Sequence, residues 1–438
     1  MAYVFTHATV LDGTEQMEPQ PNMTVVVDDD RRIDRVGPAA TTVGPAGARE
    51  IDLAGAYLMP GLVNAHVHLC GSGKPMSAGG AGDLIDKVTS NPVGMWALRR
   101  MIRSHAQAQL ASGVTTVRSV GDPGFADVDV RDAINAGRFP GPRLLTSGTG
   151  VTVSGGHGAG LFARIANTPE EAREIVRTCF ARKCDLIKLF ITGGVFDAEV
   201  PGEPGVLRMS PDIASAAVDE AHKLGLPTAA HIESAEGVRV GLEAGVDTIE
   251  HGAELDDGLL ALFKKNGVGC ASSLTCTVSP ALPFVELPPE KTKSTEVQKE
   301  NGRIVYEGIV RAAQQALAAG IPVGLGTDSS CPYITHYDMW REVVYFERFV
   351  GASRQQALHT ATLGNARILG LGEETGSVEE SKAADLIVTR ENPLENLEAL
   401  RDVTLVMARG KLDEHPRVKR IPELDAELDG FLPRPVSS

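Results

Sequence analysis

The sequence predicts an α/β fold, a (β/α)8 TIM barrel with a small β-sandwich domain built from both chain ends. Three observations predict it. The middle of the chain alternates eight strand-like runs with helical stretches. Both ends carry short β-rich runs without helices between them. The 438 residues exceed one ordinary compact domain but suit a barrel of about 250 to 300 residues with a small companion.

The N-terminal runs Ala2 to Val10 and Met23 to Val27 are rich in apolar and β-branched residues, with polar turns between. The pattern returns at Asp385–Thr389 and Thr404–Ala408. One small sheet assembled from residues 1–57 and 376–415 accounts for both; two unrelated terminal extensions are the alternative. The barrel then occupies 58–375. Its candidate strands are Leu62–His68, Thr115–Ser119, Arg143–Thr146, Leu186–Ile191, Pro227–His231, Thr248–His251, Gly269–Ser273 and Pro322–Thr327. Strands that alternate with helices form parallel sheet, and eight of them fit a closed barrel.

Helix signals fall between the strands. Thr168-Pro169-Glu170-Glu171 offers a cap, a proline at the first helical position and a glutamate at the third. Ser210-Pro211-Asp212 repeats the start signal, and Gly113, Gly225, Gly245, Gly267 and Gly320 each precede a strand, where a helix-ending glycine belongs. An open doubly wound sheet is the rival, but it would bring a glycine-rich phosphate turn after the first strand. Here that strand ends His66-Val67-His68. Residues 277–303, rich in Pro, Lys and Glu, read as an insertion before the last barrel helix, and 416–438 as an exposed C-terminal tail.

Composition narrows the function classes. A net charge of −15 excludes the basic face that nucleic acid requires. The six cysteines form no Cys-x-x-Cys pair and read as reduced thiols. No run approaches the ~18 apolar residues of a membrane span, and the first residues lack a basic-then-apolar leader. A cytoplasmic protein is expected, with a small-molecule substrate and a homo-oligomeric state, and with neither membrane nor nucleic acid as partner.

The chemistry-bearing residues sit at strand ends. His66 and His68 are two apart on a strand, so both imidazoles share one face. Lys188 lies inside the apolar run Leu186–Ile191, where desolvation strips its charge readily. His231, His251 and Asp328 end or directly follow the fifth, sixth and eighth strands, where a barrel keeps its active residues. Singly, each has a bland reading: a strand-edge lysine reaching water, or a satisfied core histidine. Together they describe a metal centre.

Pro60-Gly61-Leu62-Val63-Asn64-Ala65-His66-Val67-His68, Ile187-Lys188-Leu189, Ala230-His231, Thr248-Ile249-Glu250-His251-Gly252 and Gly326-Thr327-Asp328 resemble the amidohydrolase superfamily, and within it the imidazolonepropionase-like and prolidase-like hydrolases. Ala361–Ala366, Gly376-Ser377-Val378 and Ala384–Val388 extend the resemblance across roughly residues 1–412. It implies His66, His68 and Asp328 on one divalent metal, His231 and His251 on a second, and a carbamylated Lys188 as bridging ligand. Zinc is the first expectation; manganese, cobalt or iron also suit such nitrogen and oxygen donors. The implied reaction is hydrolysis of an amide in a small dipeptide-like or N-acyl amino acid substrate. Asp328 would take a proton from the attacking water and pass it to the leaving amine. Opening of a cyclic amide or lactone, or deamination, is the alternative on the same scaffold, and a non-catalytic assembly protein is a third class.

Three residues are expected to face substrate. His157, in Ser154-Gly155-Gly156-His157-Gly158, resembles a family segment whose histidine contacts the substrate carbonyl or carboxylate. His336 follows Asp328 in the chain and is placed at the pocket wall. Glu233 stands where several peptidase-like relatives carry tyrosine; a carboxylate there disfavours an anionic substrate group unless it is itself paired.

Overall fold

The computed structural model describes residues 1–75, 87–265 and 272–432. The chain opens with β1 (Tyr3–Val10), β2 (Gln20–Val27), β3 (Ile33–Pro38), β4 (Arg49–Asp52) and β5 (Tyr57–Pro60). Next come β6 (Leu62–Val67), β7 (Val114–Ser119), β8 (Arg143–Thr146), β9 (Gly150–Thr152), β10 (Ala163–Ile165) and β11 (Ile187–Phe190). Then follow β12 (Thr228–Ile232), β13 (Thr248–His251), β14 (Ser273–Cys276) and β15 (Val323–Leu325), and finally β16 (Leu386–Thr389), β17 (Leu405–Ala408) and β18 (Lys411–Asp413).

The two chain ends share an eight-stranded sheet in the order β18-β17-β16-β5-β1-β2-β3, with β4 on β1. It is one continuous hydrogen-bonded sheet rather than the two sheets of a sandwich, because β5 pairs with both β1 and β16 and so joins the N- and C-terminal strands. The sheet reaches Pro60, past the boundary expected at 57. Phe5, Val25, Leu58, Leu386 and Met407 form an apolar core of its own.

The middle strands form two parallel sheets, β6-β7-β8 and β10-β9-β11-β12-β13-β14-β15. Their strands are short and almost wholly buried, the apolar signature of parallel strands covered on both faces. The two sheets are tied together at two places. Asp328 N–H donates to His66 O at 2.9 Å beside a parallel bridge between Val67 and Ser329. Asp185 N–H donates to Thr146 O at 2.7 Å. Helices run between the strands as the cap signals required. Thr168 and Glu171 make the reciprocal capping box, Glu171 N–H donating to Thr168 Oγ1 at 3.3 Å and Thr168 N–H to the Glu171 carboxylate at 3.0 Å. Gly245 ends its helix at φ 86°, a conformation that costs glycine little.

Three expectations need correction. The seventh strand is Ser273–Cys276, later than Gly269–Ser273, because the ladder pairs Thr248 with Ser273 and Leu274 with Val323; residues 266–271, with Gly267 and Cys270, lie outside the described residues. The supposed insertion holds helices Leu282–Glu286 and Pro289–Thr292, and the 23-residue helix Glu296–Ala318 begins inside it. The chain end is no exposed tail as far as 432. Helix Pro422–Asp429 buries Leu424 and Leu428, a pair one turn apart, and Phe431 and Leu432 are buried after it. Buried Arg341 clamps it through Asp425 at 3.4 Å and Asp429 at 2.7 Å.

The described cysteines Cys70, Cys179, Cys184, Cys276 and Cys331 are free. Among the described residues no helix is long and apolar enough to cross a membrane.

Candidate metal centre

Strand polarity assembles the site. In parallel sheets all C-terminal strand ends lie on one side, and β6, β11, β12, β13 and the segment after β15 bring His66, His68, Lys188, His231, His251 and Asp328 together there. Two of these, His251 at φ 68° and Asp328 at φ 53°, hold the left-handed conformation. Non-glycine residues adopt it at a cost of roughly 1–3 kcal/mol, typically where function fixes the side chain.

His66, His68 and Asp328 form one group whose donor atoms all lie within 4.8 Å of one another, and all three residues are buried. His66 Nε2 stands 3.4 Å and His68 Nε2 3.5 Å from Asp328 Oδ1. His66 Nε2 and Asp328 Oδ1 have no hydrogen-bond partner. Donors about 2.1 Å from a tetrahedral cation are themselves about 3.4 Å apart, so this spacing fits ligands arranged around an ion. The far ring nitrogens are occupied: His66 Nδ1 meets Glu250 Oε2 at 2.6 Å and His68 Nδ1 meets Gly121 O at 2.6 Å. Such bonds fix the tautomer and leave Nε2 free for a metal.

His231, His251 and Glu233 form a second group under the same 4.8 Å limit. His231 Nε2 donates to Gly193 O at 3.2 Å, which leaves Nδ1 free, and His251 Nδ1 lies 2.7 Å from Thr277 Oγ1, which leaves Nε2 free. The two groups are close, with the His66 and His251 ring centroids 4.9 Å apart, and within the second group His231 and His251 lie 4.7 Å apart. Burial pulls His68 down to about 4 and takes His231 and His251 well below the usual imidazole range. A neutral imidazole is the metal-binding form.

Lys188 Nζ is buried without a hydrogen-bond partner, 5.1 Å from the Phe190 ring centre. Burial pulls its pKa to about 8, against the pull of Glu250 and Asp328, so a good share of the amine is neutral near pH 8. Burial would raise Asp328, but the imidazoles that face it, His66 first among them, outweigh burial and hold the carboxyl well below its usual range.

Each expected substrate residue has a definite place. His157 stacks on His231 with centroids 4.2 Å apart and rings 1° from parallel, and its Nδ1 pairs with Asp197. Glu233 accompanies the second group, and no arginine or lysine of the described residues forms an ion pair with it. His336 stacks on His105 at 3.9 Å and its Nε2 bonds Gly71 O at 2.7 Å; neither contact belongs to the cluster. Phe162, unremarked in the sequence, stacks on His68 at 4.6 Å and walls the site.

The larger omission is the support under the ligands. Buried Glu250 accepts from Arg118 Nη2 at 2.7 Å on one oxygen and from His66 Nδ1 on the other. Burial would raise this carboxyl, yet Arg118 and His66 hold it far below its usual range. Arg118 also donates to Ala65 O at 2.6 Å and Thr248 Oγ1 at 3.0 Å. A signal for both was present: each is a lone charge inside a β-branched strand, and on β13 Thr248 and Glu250 share a face.

Parallel strands thus gather two groups of side chains that could hold metal ions in a fold of the α/β class. Residues 57–412 match the Amidohydrolase family, and the chain belongs to it. The ochratoxinase of Aspergillus niger is 28% identical over 394 residues, covering 82% of this chain and 76% of the relative. A solved structure from Bifidobacterium longum, provisionally assigned as a prolidase, is 39% identical, covers 98% of each chain and superposes with a TM-score of 0.87. A Xaa-Pro dipeptidase with methionine bound in its active site is 27% identical, covers 94% of this chain and 100% of its own, with a TM-score of 0.81.

Proposed function

We propose that the protein is a binuclear metal-dependent hydrolase that cleaves the amide bond of small dipeptide-like or N-acyl amino acid substrates. In this reading the two parallel sheets are one (β/α)8 barrel, joined through Asp328–His66 and Asp185–Thr146. The carrying observation is the pair of facing donor groups at strand ends, with the partnerless Lys188 amine buried beside them. The prolidase-like and dipeptidase structures, similar across nearly the whole chain, point to a linear amide next to an amino acid.

His66, His68 and Asp328 would hold one cation and His231 and His251 the other. Lys188, as its carbamate, would supply an anionic oxygen to both. Zinc suits these donors best. When bound, the two cations supply the Lewis acidity that activates water and polarises a carbonyl near neutral pH. The residues of the chain do the rest. Asp328, kept ionised, accepts the proton of the attacking water and returns it to the leaving amine. His157, set by Asp197 and stacked on His231, orients the substrate carbonyl or carboxylate. Phe162 and Phe190 close one wall against water. Cytoplasmic location and homo-oligomeric assembly belong to the same proposal.

The test is turnover by zinc-loaded protein of dipeptides, N-acyl amino acids and cyclic amides in parallel. Hydrolysis of the linear amides supports the reading; turnover confined to cyclic amides or lactones replaces it.

A further inference from the structure

We propose that Glu233 is a ligand of the second cation and completes a histidine–histidine–carboxylate set with His231 and His251. The inference rests on the binuclear reading and gives Glu233 a role other than the substrate contact its sequence position suggests.

Geometry leads to it. The donor atoms of His231, Glu233 and His251 lie within 4.8 Å of one another, the same limit that gathers His66, His68 and Asp328. The free nitrogens are the right ones, since Gly193 O occupies His231 Nε2 and Thr277 Oγ1 occupies His251 Nδ1. Glu233 is held over the strand end by its backbone, whose N–H donates to Thr192 Oγ1 at 3.0 Å. Its Oε2 is closed to solvent and has no hydrogen-bond partner. An oxygen in that condition is expensive to keep charged unless a cation meets it. No lysine or arginine of the described residues does so through an ion pair, and His66 Nε2, Asp328 Oδ1 and Lys188 Nζ are partnerless in the same way.

The result is a symmetric centre. Each cation position has two imidazoles and one side-chain carboxylate of its own, to which the shared Lys188 carbamate would add a fourth donor. Glu233 then serves one position alone, whereas Lys188 serves both.

Zinc binding tests this without any substrate. Wild-type protein and Glu233→Gln are loaded with zinc and titrated with a chelator, and retained metal is counted. Wild type should hold two equivalents. Glu233→Gln should hold one as before and lose the other at a chelator concentration at least tenfold lower. Glu233→Asp, with its carboxylate on a shorter arm, should fall between them. The d–d spectrum of cobalt-loaded Glu233→Gln should change for one of the two ions. If Glu233→Gln keeps both equivalents with wild-type affinity and an unchanged cobalt spectrum, Glu233 is not a ligand. A wild type that binds a single equivalent overturns the binuclear reading itself, a separate failure visible before any variant is made.

Discussion

At the scale of single residues the site depends on groups held in unusual states by their surroundings. Asp328 is ionised although buried, because the histidines around it outweigh desolvation. Asp328→Asn keeps the shape and removes the basic oxygen. General acid–base groups contribute roughly 10²–10⁴-fold, so kcat should fall by at least that range at saturating metal; a variant within a few-fold of the parent assigns the proton transfer elsewhere. Lys188 is the opposite case, an amine that burial moves toward neutrality, as carbamylation requires. Lys188→Ala should lose most turnover, and acetate should restore part of it by filling the space left behind. Normal turnover with both metals retained contradicts the carbamate. The six ligand candidates were legible from sequence because parallel strands put chemistry at their C-terminal ends. Arg118 and Glu250 were not assigned, because charges inside strands are read locally, whereas their role lies in a contact between β7 and β13. His336 shows the converse: nearness to Asp328 in sequence did not place its ring contacts in the cluster.

At the scale of elements, helix ends and strand ends obey different rules, and the sequence shows the first better. The Thr168 box was readable because it needs only four neighbouring residues. The seventh strand was placed too early, since register depends on pairing with β13 and β15, and one apolar run resembles the next. The C-terminal helix was missed because eight residues with mixed charge look solvated until Arg341 is found beneath them. A buried carboxyl secures another loop. Glu342, on helix Met339–Tyr345, accepts from Val278 N–H at 2.5 Å and Ser279 N–H at 3.0 Å, just past the Thr277 that orients His251. Burial pushes it up to about 7 despite these bonds. The folded state therefore holds a proton that the unfolded state releases near 4.5. The stability tied to this group is fully present below about 4.5 and is lost as pH rises to 7. At about 1.4 kcal/mol per unit, the loss reaches roughly 3 kcal/mol. Denaturant unfolding of Glu342→Gln between pH 4.5 and 7 should show the wild type losing ground to the variant as pH rises. A constant difference across the range removes the protonated carboxyl from the account.

At the scale of the whole molecule, the two large apolar cores of the described residues divide the work. The terminal sheet carries one of them and contributes no residue to either donor group. The parallel strands carry the other and tolerate strained residues at their ends. Alternation of strands and helices was plain in the sequence. The joining of both chain ends in one sheet was expected from their matching strand patterns, whereas the strand that joins them was not, since it turns on β5 pairing in both directions. The central claim is that turnover needs two cations in this one site. The direct measurement is titration of metal-free protein with zinc while hydrolysis of an N-acyl amino acid is followed. The account predicts activity that climbs through the second equivalent and levels at two per chain. Full activity at one equivalent, or in metal-free protein, contradicts it.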